Sequence, residues 1–142
     1  MYIHGDFNVD NIIYDPQDRR INFIDLHRSR HMDYVQDVSV FMVSNYRLQI
    51  MDAAVRERLM QAAVSMYRMA RRFARKEKDA TFELRLALAL ARSFASSTRF
   101  ILDKSMAERM FLRSRYLLEL ALRAADEEIG EFRLPVKDVF SG

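Results

Sequence analysis

His4-Gly5-Asp6-Phe7-Asn8-Val9-Asp10-Asn11, then Ile12-Ile13-Tyr14, Asp15-Pro16-Gln17-Asp18 and Ile21-Asn22-Phe23-Ile24-Asp25, stand near the start of the chain. The last three segments predict a β-hairpin. Two short β-prone runs, the second partly alternating, flank a turn with Pro at its second position. A hairpin brings the chain back on itself, so Asp25 is expected beside Asn11. A short loop after Asp6 turns Asn11 toward the same side. Two carboxylates and an amide gathered in this way suit phosphoryl transfer, which depends mainly on positioning and charge neutralisation. Asp6 would accept a proton from a hydroxyl. Asn11 and Asp25 would hold Mg²⁺ against nucleotide phosphates. The plainer alternative is a loop whose Asp and Asn side chains make only turn hydrogen bonds.

The pattern His-Gly-Asp-x-x-x-x-Asn followed by apolar-Ile-Asp resembles the catalytic core of the aminoglycoside phosphotransferase (APH)-like kinases. These are small-molecule kinases related in fold to the eukaryotic protein kinases. The residues that carry the resemblance run from about position 3 to 45. It implies Asp6 as catalytic base, and Asn11 and Asp25 as ligands of Mg²⁺ and through it of ATP or GTP. It implies a hydroxyl of a small molecule as the acceptor. It also implies that Asp37, in Tyr34-Val35-Gln36-Asp37-Val38-Ser39, sits at a helix start and braces the catalytic loop. Where the family often has Gly or an acidic residue after the metal-binding Asp, this chain has Leu26-His27-Arg28. Protein kinases place an Arg before the catalytic Asp, where it pairs with a phosphate on the activation loop. Gly5 has no such side chain, and phosphate control of that type is not expected. A complete enzyme of this fold also has an N-terminal lobe with a nucleotide-covering loop and a phosphate-binding Lys. The three glycines here, Gly5, Gly130 and Gly142, form no glycine-rich loop. The resemblance thus implies a C-terminal lobe, inactive alone, whose partner is the missing N-terminal lobe.

Composition agrees with a mainly α protein. Half of the 142 residues are apolar, and only three are Gly and two Pro, as in helical chains with few turns. The length suits one domain with a real core. The absence of Cys excludes a disulfide framework and a thiolate metal site. No apolar stretch approaches the roughly eighteen residues of a membrane span, and a leader ahead of the motif is not expected. A soluble, cytoplasmic protein without membrane contact is expected.

The expected organisation is a kinase-like C-lobe over residues 1–130, followed by a tail over 131–142. Within the lobe, residues 1–33 form the loop and hairpin, and 34–130 form four to five helices. His27 and His31 have the i, i+4 spacing of metal ligands, but that needs a helix and a third ligand. A polar loop is the simpler reading of residues 26–33. Helical periodicity begins at Tyr34, with Val38, Phe41, Met42 and Leu48 on its apolar side. Asp52 opens a helix to about Lys76, with Val55, Leu59, Ala62, Ala63, Met66, Met69, Ala70 and Phe73 as its stripe. Its basic end, Arg71 to Lys78, suits a helix C-terminus better than a nucleic-acid surface. Residues 80–102 are apolar nearly all round up to Ala91, as in a central helix. Arg85, Arg92 and Arg99 recur every seven residues along it, marking a wet stripe or, alternatively, lining a substrate groove. Ser105-Met106-Ala107-Glu108 reads as a capping box for a helix to about Ile129. Its inward residues are expected to be Met110, Phe111, Ser114, Leu117, Leu118, Ala121, Leu122 and Ala125. Gly130 is a natural stop, and the tail beyond it, with Pro135, is expected to pack lightly or not at all.

Two functional classes follow. One is the catalytic lobe of an ATP-dependent phosphotransferase. The other is a non-catalytic helical interaction module derived from such a lobe, offering an exposed apolar surface to another chain or to a second copy as a homodimer. Nucleic-acid binding is disfavoured by a net charge of only +3. Residues 51–142 hold eighteen Lys and Arg against thirteen Asp and Glu. A polycationic acceptor would call for carboxylates, so the expected acceptor is a neutral or anionic hydroxylated metabolite.

Overall fold

The computed structural model describes residues 1–124 and 129–140. Among the described residues, two small antiparallel β-pairs precede five helices along the chain. Strands β2 (Ile12–Asp15) and β3 (Arg20–Phe23) are the expected hairpin, in register Ile12 with Phe23 and Asp15 with Arg20. Its turn is held by the Asp15 carboxylate, which accepts the Gln17 and Asp18 N–H groups at 2.9 and 3.3 Å.

A second antiparallel pair lies outside the hairpin. Strands β1 (Tyr2–Ile3) and β4 (Arg30–His31) align Tyr2 with His31 and Ile3 with Arg30. This clip closes the whole segment between residues 4 and 29 into one loop. Two-residue strands carry almost no periodicity, so no sequence pattern marks them. The clip also puts His31 on a strand, while His27 lies in a 3₁₀ turn over Leu26–Arg28. The helical i, i+4 spacing is therefore not realised. Among the described residues no group of three or more His, Asp or Glu side chains could hold a metal ion.

Helix α1 (Val35–Arg47) buries Val38, Met42, Val43 and Tyr46. Helix α2 (Ala53–Lys76) is capped as expected, Asp52 accepting the Val55 N–H at 2.9 Å. Its buried stripe is Met60, Ala63, Tyr67, Ala70 and Ala74, with Val55 and Met69 exposed. Small residues on that face let α2 pack against α1.

Helix α3 (Phe82–Ser97) is the central element, touching α1, α2 and α4. Leu86, Leu90 and Phe94 have no solvent exposure. The helix stops short of the expected residue 102 and ends in a 3₁₀ turn over Thr98–Phe100. Hydroxyls explain the stop. Ser96 and Thr98 donate back to the Ser93 and Ala95 carbonyls at 3.3 and 2.7 Å, which competes with the helical ladder. Phe100 and Leu102, past the end of the helix, are exposed.

Helix α4 (Lys104–Ala124) begins before the expected capping box. The Asp103 carboxylate, not Ser105, accepts the Met106 N–H, at 2.6 Å. Packing against α3 turns Met106, Met110, Ser114, Leu117, Ala121 and Ala124 inward and leaves Phe111, Leu118 and Leu122 exposed. The expected continuation of α4 through Ala125 to Ile129 lies outside the described residues over 125–128.

The tail is not loose. Leu134, Val136, Val139 and Phe140 are buried, with Val136 and Val139 in a short helix α5 (Val136–Val139). The Phe140 ring meets Phe94 and Tyr46 at 5.8 and 6.1 Å. Arg113 Nε donates to the Val139 carbonyl at 2.8 Å, and the Leu134 N–H donates to Glu83 at 3.3 Å. Four apolar side chains find a ready cleft beside α1 and α3, and their burial outweighs the cost of ordering a short segment.

Candidate active site

The loop from His4 to Asn11 is fastened from three sides. Asp37, in the first turn of α1, accepts the His4 N–H at 2.7 Å and the Gly5 N–H at 3.0 Å, one on each carboxylate oxygen. The Val9 N–H donates to Ser44 Oγ at 3.1 Å, one α1 turn-pair further along. Phe7 packs between Phe41 of α1 and Phe23 of β3, with ring centroids 5.6 Å away in both cases.

Gly5 has φ +85°, in the left-handed region. A Cβ there would lie 2.3 Å from the Arg28 carbonyl oxygen. The position before Asp6 must therefore be Gly, both for backbone conformation and for space. His4 ties the loop to the hairpin. Its Nδ1 accepts the Asp6 N–H at 3.3 Å, which leaves Nε2 as the protonated nitrogen that donates to the Ile24 carbonyl at 3.0 Å.

Asn11 is the buried tie of the site. Its Nδ2 donates to the Asp6 carbonyl at 2.9 Å, and its own carbonyl accepts the Ile24 N–H at 3.1 Å. With the amide nitrogen committed, Oδ1 is the atom left to act as a ligand. Asp25 follows directly after Ile24 and takes a left-handed conformation at φ +60°. Its exposed carboxylate contacts His27 Nδ1. An amide oxygen and a carboxylate are hard oxygen donors, the ligand type that Mg²⁺ takes. Two protein ligands make only part of a coordination shell, as in sites where nucleotide phosphates and water supply the rest.

The Asp6 carboxylate is half-buried. It accepts from Asn8 Nδ2 at 3.2 Å and lies 3.3 Å from the Arg28 guanidinium. Arg28 was not singled out by sequence reasoning, nor were Ser44 and Arg47, the last paired with Asp10 at 3.3 Å. A basic residue three positions after Asp25 is the one local signal for Arg28. Ser44 and Arg47 could be found only once α1 was known to run under the loop. Arg92 and Arg99, read as either a wet stripe or groove lining, line the cleft that opens at Asp6. Arg85 does not. It is held between Asp33 and Asp79, beneath the Tyr34 ring.

No helix among the described residues is long and apolar enough to cross a membrane. Neither the curated proteins nor the solved structures include a match to the chain. The family model described as "Phosphotransferase enzyme family" (APH) matches residues 1–76. Those residues comprise the loop, both β-pairs, α1 and α2, more than half of the 142. With the fastened loop and the hairpin that returns Asp25 to Asn11, this makes the chain a member of the APH phosphotransferase family.

Proposed function

We propose that the chain is the catalytic C-terminal lobe of an ATP- or GTP-dependent kinase that phosphorylates a hydroxyl of a small molecule. One observation carries this reading. Asn11 is bonded to the Asp6 backbone through its side chain and to the Ile24 backbone through its carbonyl, so three candidate functional groups share one rigid frame. In it, Asp6 accepts the proton of the acceptor hydroxyl, and Arg28 orients the Asp6 carboxylate before the acceptor displaces it. Asn11 Oδ1 and Asp25 hold Mg²⁺. The bound Mg²⁺–nucleotide supplies the phosphoryl group and offsets charge that develops during transfer. Asp37 and His4 keep the loop in place. The chain has no glycine-rich loop of its own, and another lobe covers the nucleotide. The chain alone therefore binds nucleotide weakly and is inactive.

The test uses Mn²⁺ with ATP as a paramagnetic probe of the isolated chain. Amide signals of Asn11 and Asp25 are expected to broaden first, and Asp25→Asn should remove the effect. Broadening centred on other acidic residues, unchanged by Asp25→Asn, would sink the assignment.

A second reading is favoured by a different face. Tyr2, Phe23, Leu26 and Met69 are exposed around an apolar groove between β1, β3 and α2. In a non-catalytic interaction module this surface would receive a second copy. Light scattering separates the two readings: a concentration-dependent dimer whose melting temperature ignores nucleotide favours the module.

A further inference from the structure

We propose that Arg92 and Arg99 form an anion-binding subsite, and that the acceptor is a hydroxyl compound carrying a carboxylate or phosphate group. The cleft beside Asp6 has a volume of about 760 Å³, a size suited to a small metabolite. Among the described residues its lining includes four guanidinium groups, those of Arg28, Arg47, Arg92 and Arg99, against the single carboxylate of Asp6. Two of the four already have carboxylate partners, Arg28 with Asp6 and Arg47 with Asp10.

The other two do not. Arg92 donates to a neutral amide, Gln36 Oε1, at 2.6 Å. Arg99 lies over the Phe100 ring, 4.6 Å from its centroid. Both are exposed, and neither has an ion-pair partner among the described residues. Ser96 lies between them at i, i+4 from Arg92, on the same side of α3. Exposed, uncompensated guanidinium groups facing one cleft attract a planar or tetrahedral anion and repel a cation.

The subsite is also coupled in position to the catalytic loop. Gln36, which accepts from Arg92, donates through Nε2 to the Gly5 carbonyl at 3.5 Å. Asn11 and Asp25 do not line this cleft. The anion it holds therefore belongs to the acceptor, and the nucleotide phosphates lie on the other side of Asp6. That assignment rests on the reading of Asp6 as the catalytic base; anion binding at Arg92 and Arg99 does not.

The isolated chain is titrated at constant ionic strength with glycerate, glycerol 1-phosphate, glycerol and choline. The readout is the side-chain Nε–Hε resonances of Arg92 and Arg99. Both anions should shift these signals, and glycerol and choline should not. The stronger response identifies the preferred group, carboxylate or phosphate. Arg92→Gln and Arg99→Gln should each weaken anion binding about tenfold, and Arg92→Lys should weaken it less. Circular dichroism of each variant checks that it is folded. Equal responses to anions and choline, or anion binding unchanged in both Gln variants, would overturn the subsite. If the anions shift Arg92 and Arg99 while the Mn²⁺ test at Asp25 fails, the subsite stands and the kinase reading falls.

Discussion

Asp37 and Gly5 are joined by a 3.0 Å hydrogen bond from the Gly5 N–H to one carboxylate oxygen, while the other oxygen takes the His4 N–H at 2.7 Å. One side chain on α1 thus satisfies two successive loop amides just before Asp6. Asp37→Ala leaves both without a partner, and should cost about 2–3 kcal/mol. Asp37→Asn keeps one acceptor and should cost less. Urea unfolding measures the loss, and faster hydrogen exchange at Gly5 locates it.

Gly5→Ala tests the close approach. With φ at +85° and a Cβ 2.3 Å from the Arg28 carbonyl oxygen, the side chain cannot be accommodated without moving the backbone. The expected loss is about 3 kcal/mol, seen as a lower urea midpoint. A neutral result would mean that the loop tolerates another conformation.

Asp25 is where backbone strain and the proposed metal ligation can be told apart. As a non-glycine residue at φ +60°, it holds a conformation that costs most residues about 1 kcal/mol. Asp25→Gly should leave the protein as stable or up to about 1 kcal/mol more stable. It should also abolish Mn²⁺ broadening at Asn11. Thermal melting and the paramagnetic titration together check both parts.

Tyr67 links stability to alkaline pH. Burial, and then its hydrogen bonds to Glu83 at 2.9 and 3.0 Å, push its pKa up to about 12 from 10.0. The folded value lies above the unfolded one. Its stabilising contribution is therefore complete below pH 10 and is lost as pH rises from 10 through about 12. Spectroscopic titration should show two late-ionising tyrosines; burial and the Asp79 hydrogen bond also push Tyr34 up, and Tyr67→Phe should remove only the earlier of the two. On the acid side, burial raises the Asp79 pKa, but the Tyr34 hydroxyl, Arg85 and Thr81 outweigh it and hold the carboxyl below its ordinary value. Its contribution is present above the ordinary carboxylate range and is lost as pH falls through the lowered value. Tyr34→Phe should shift acid unfolding to higher pH.

Phe140→Ala tests the docked tail. The ring is 3% exposed and packs on Tyr46 and Phe94. Truncation should cost about 3 kcal/mol, measured by urea unfolding. A loss under about 0.5 kcal/mol would mark the tail as an ornament of the core.

What the sequence determined by itself was local. The hairpin at 12–23, the Asp52 cap, and the placement of α1 and α2 follow from turn chemistry and from periodicity over many residues. The central position of α3 follows from an apolar surface that no single neighbour could cover. The same sequence placed Asp6, Asn11 and Asp25 on one loop-and-hairpin unit. Tertiary structure decided the rest. The β1–β4 clip joins residues nearly thirty positions apart, and two-residue strands have no period to read. Only the packing of α4 against α3 decided that Phe111, Leu118 and Leu122 face outward, because a sequence rich in apolar residues permits several stripes. The docking of the tail is likewise tertiary: Pro135 breaks its local pattern, while the cleft that buries Phe140 exists only once α1 and α3 have met. The Arg92–Gln36–Gly5 connection likewise spans three distant segments. Side-chain chemistry is written residue by residue, but which charges end up without a partner is settled only when the helices pack.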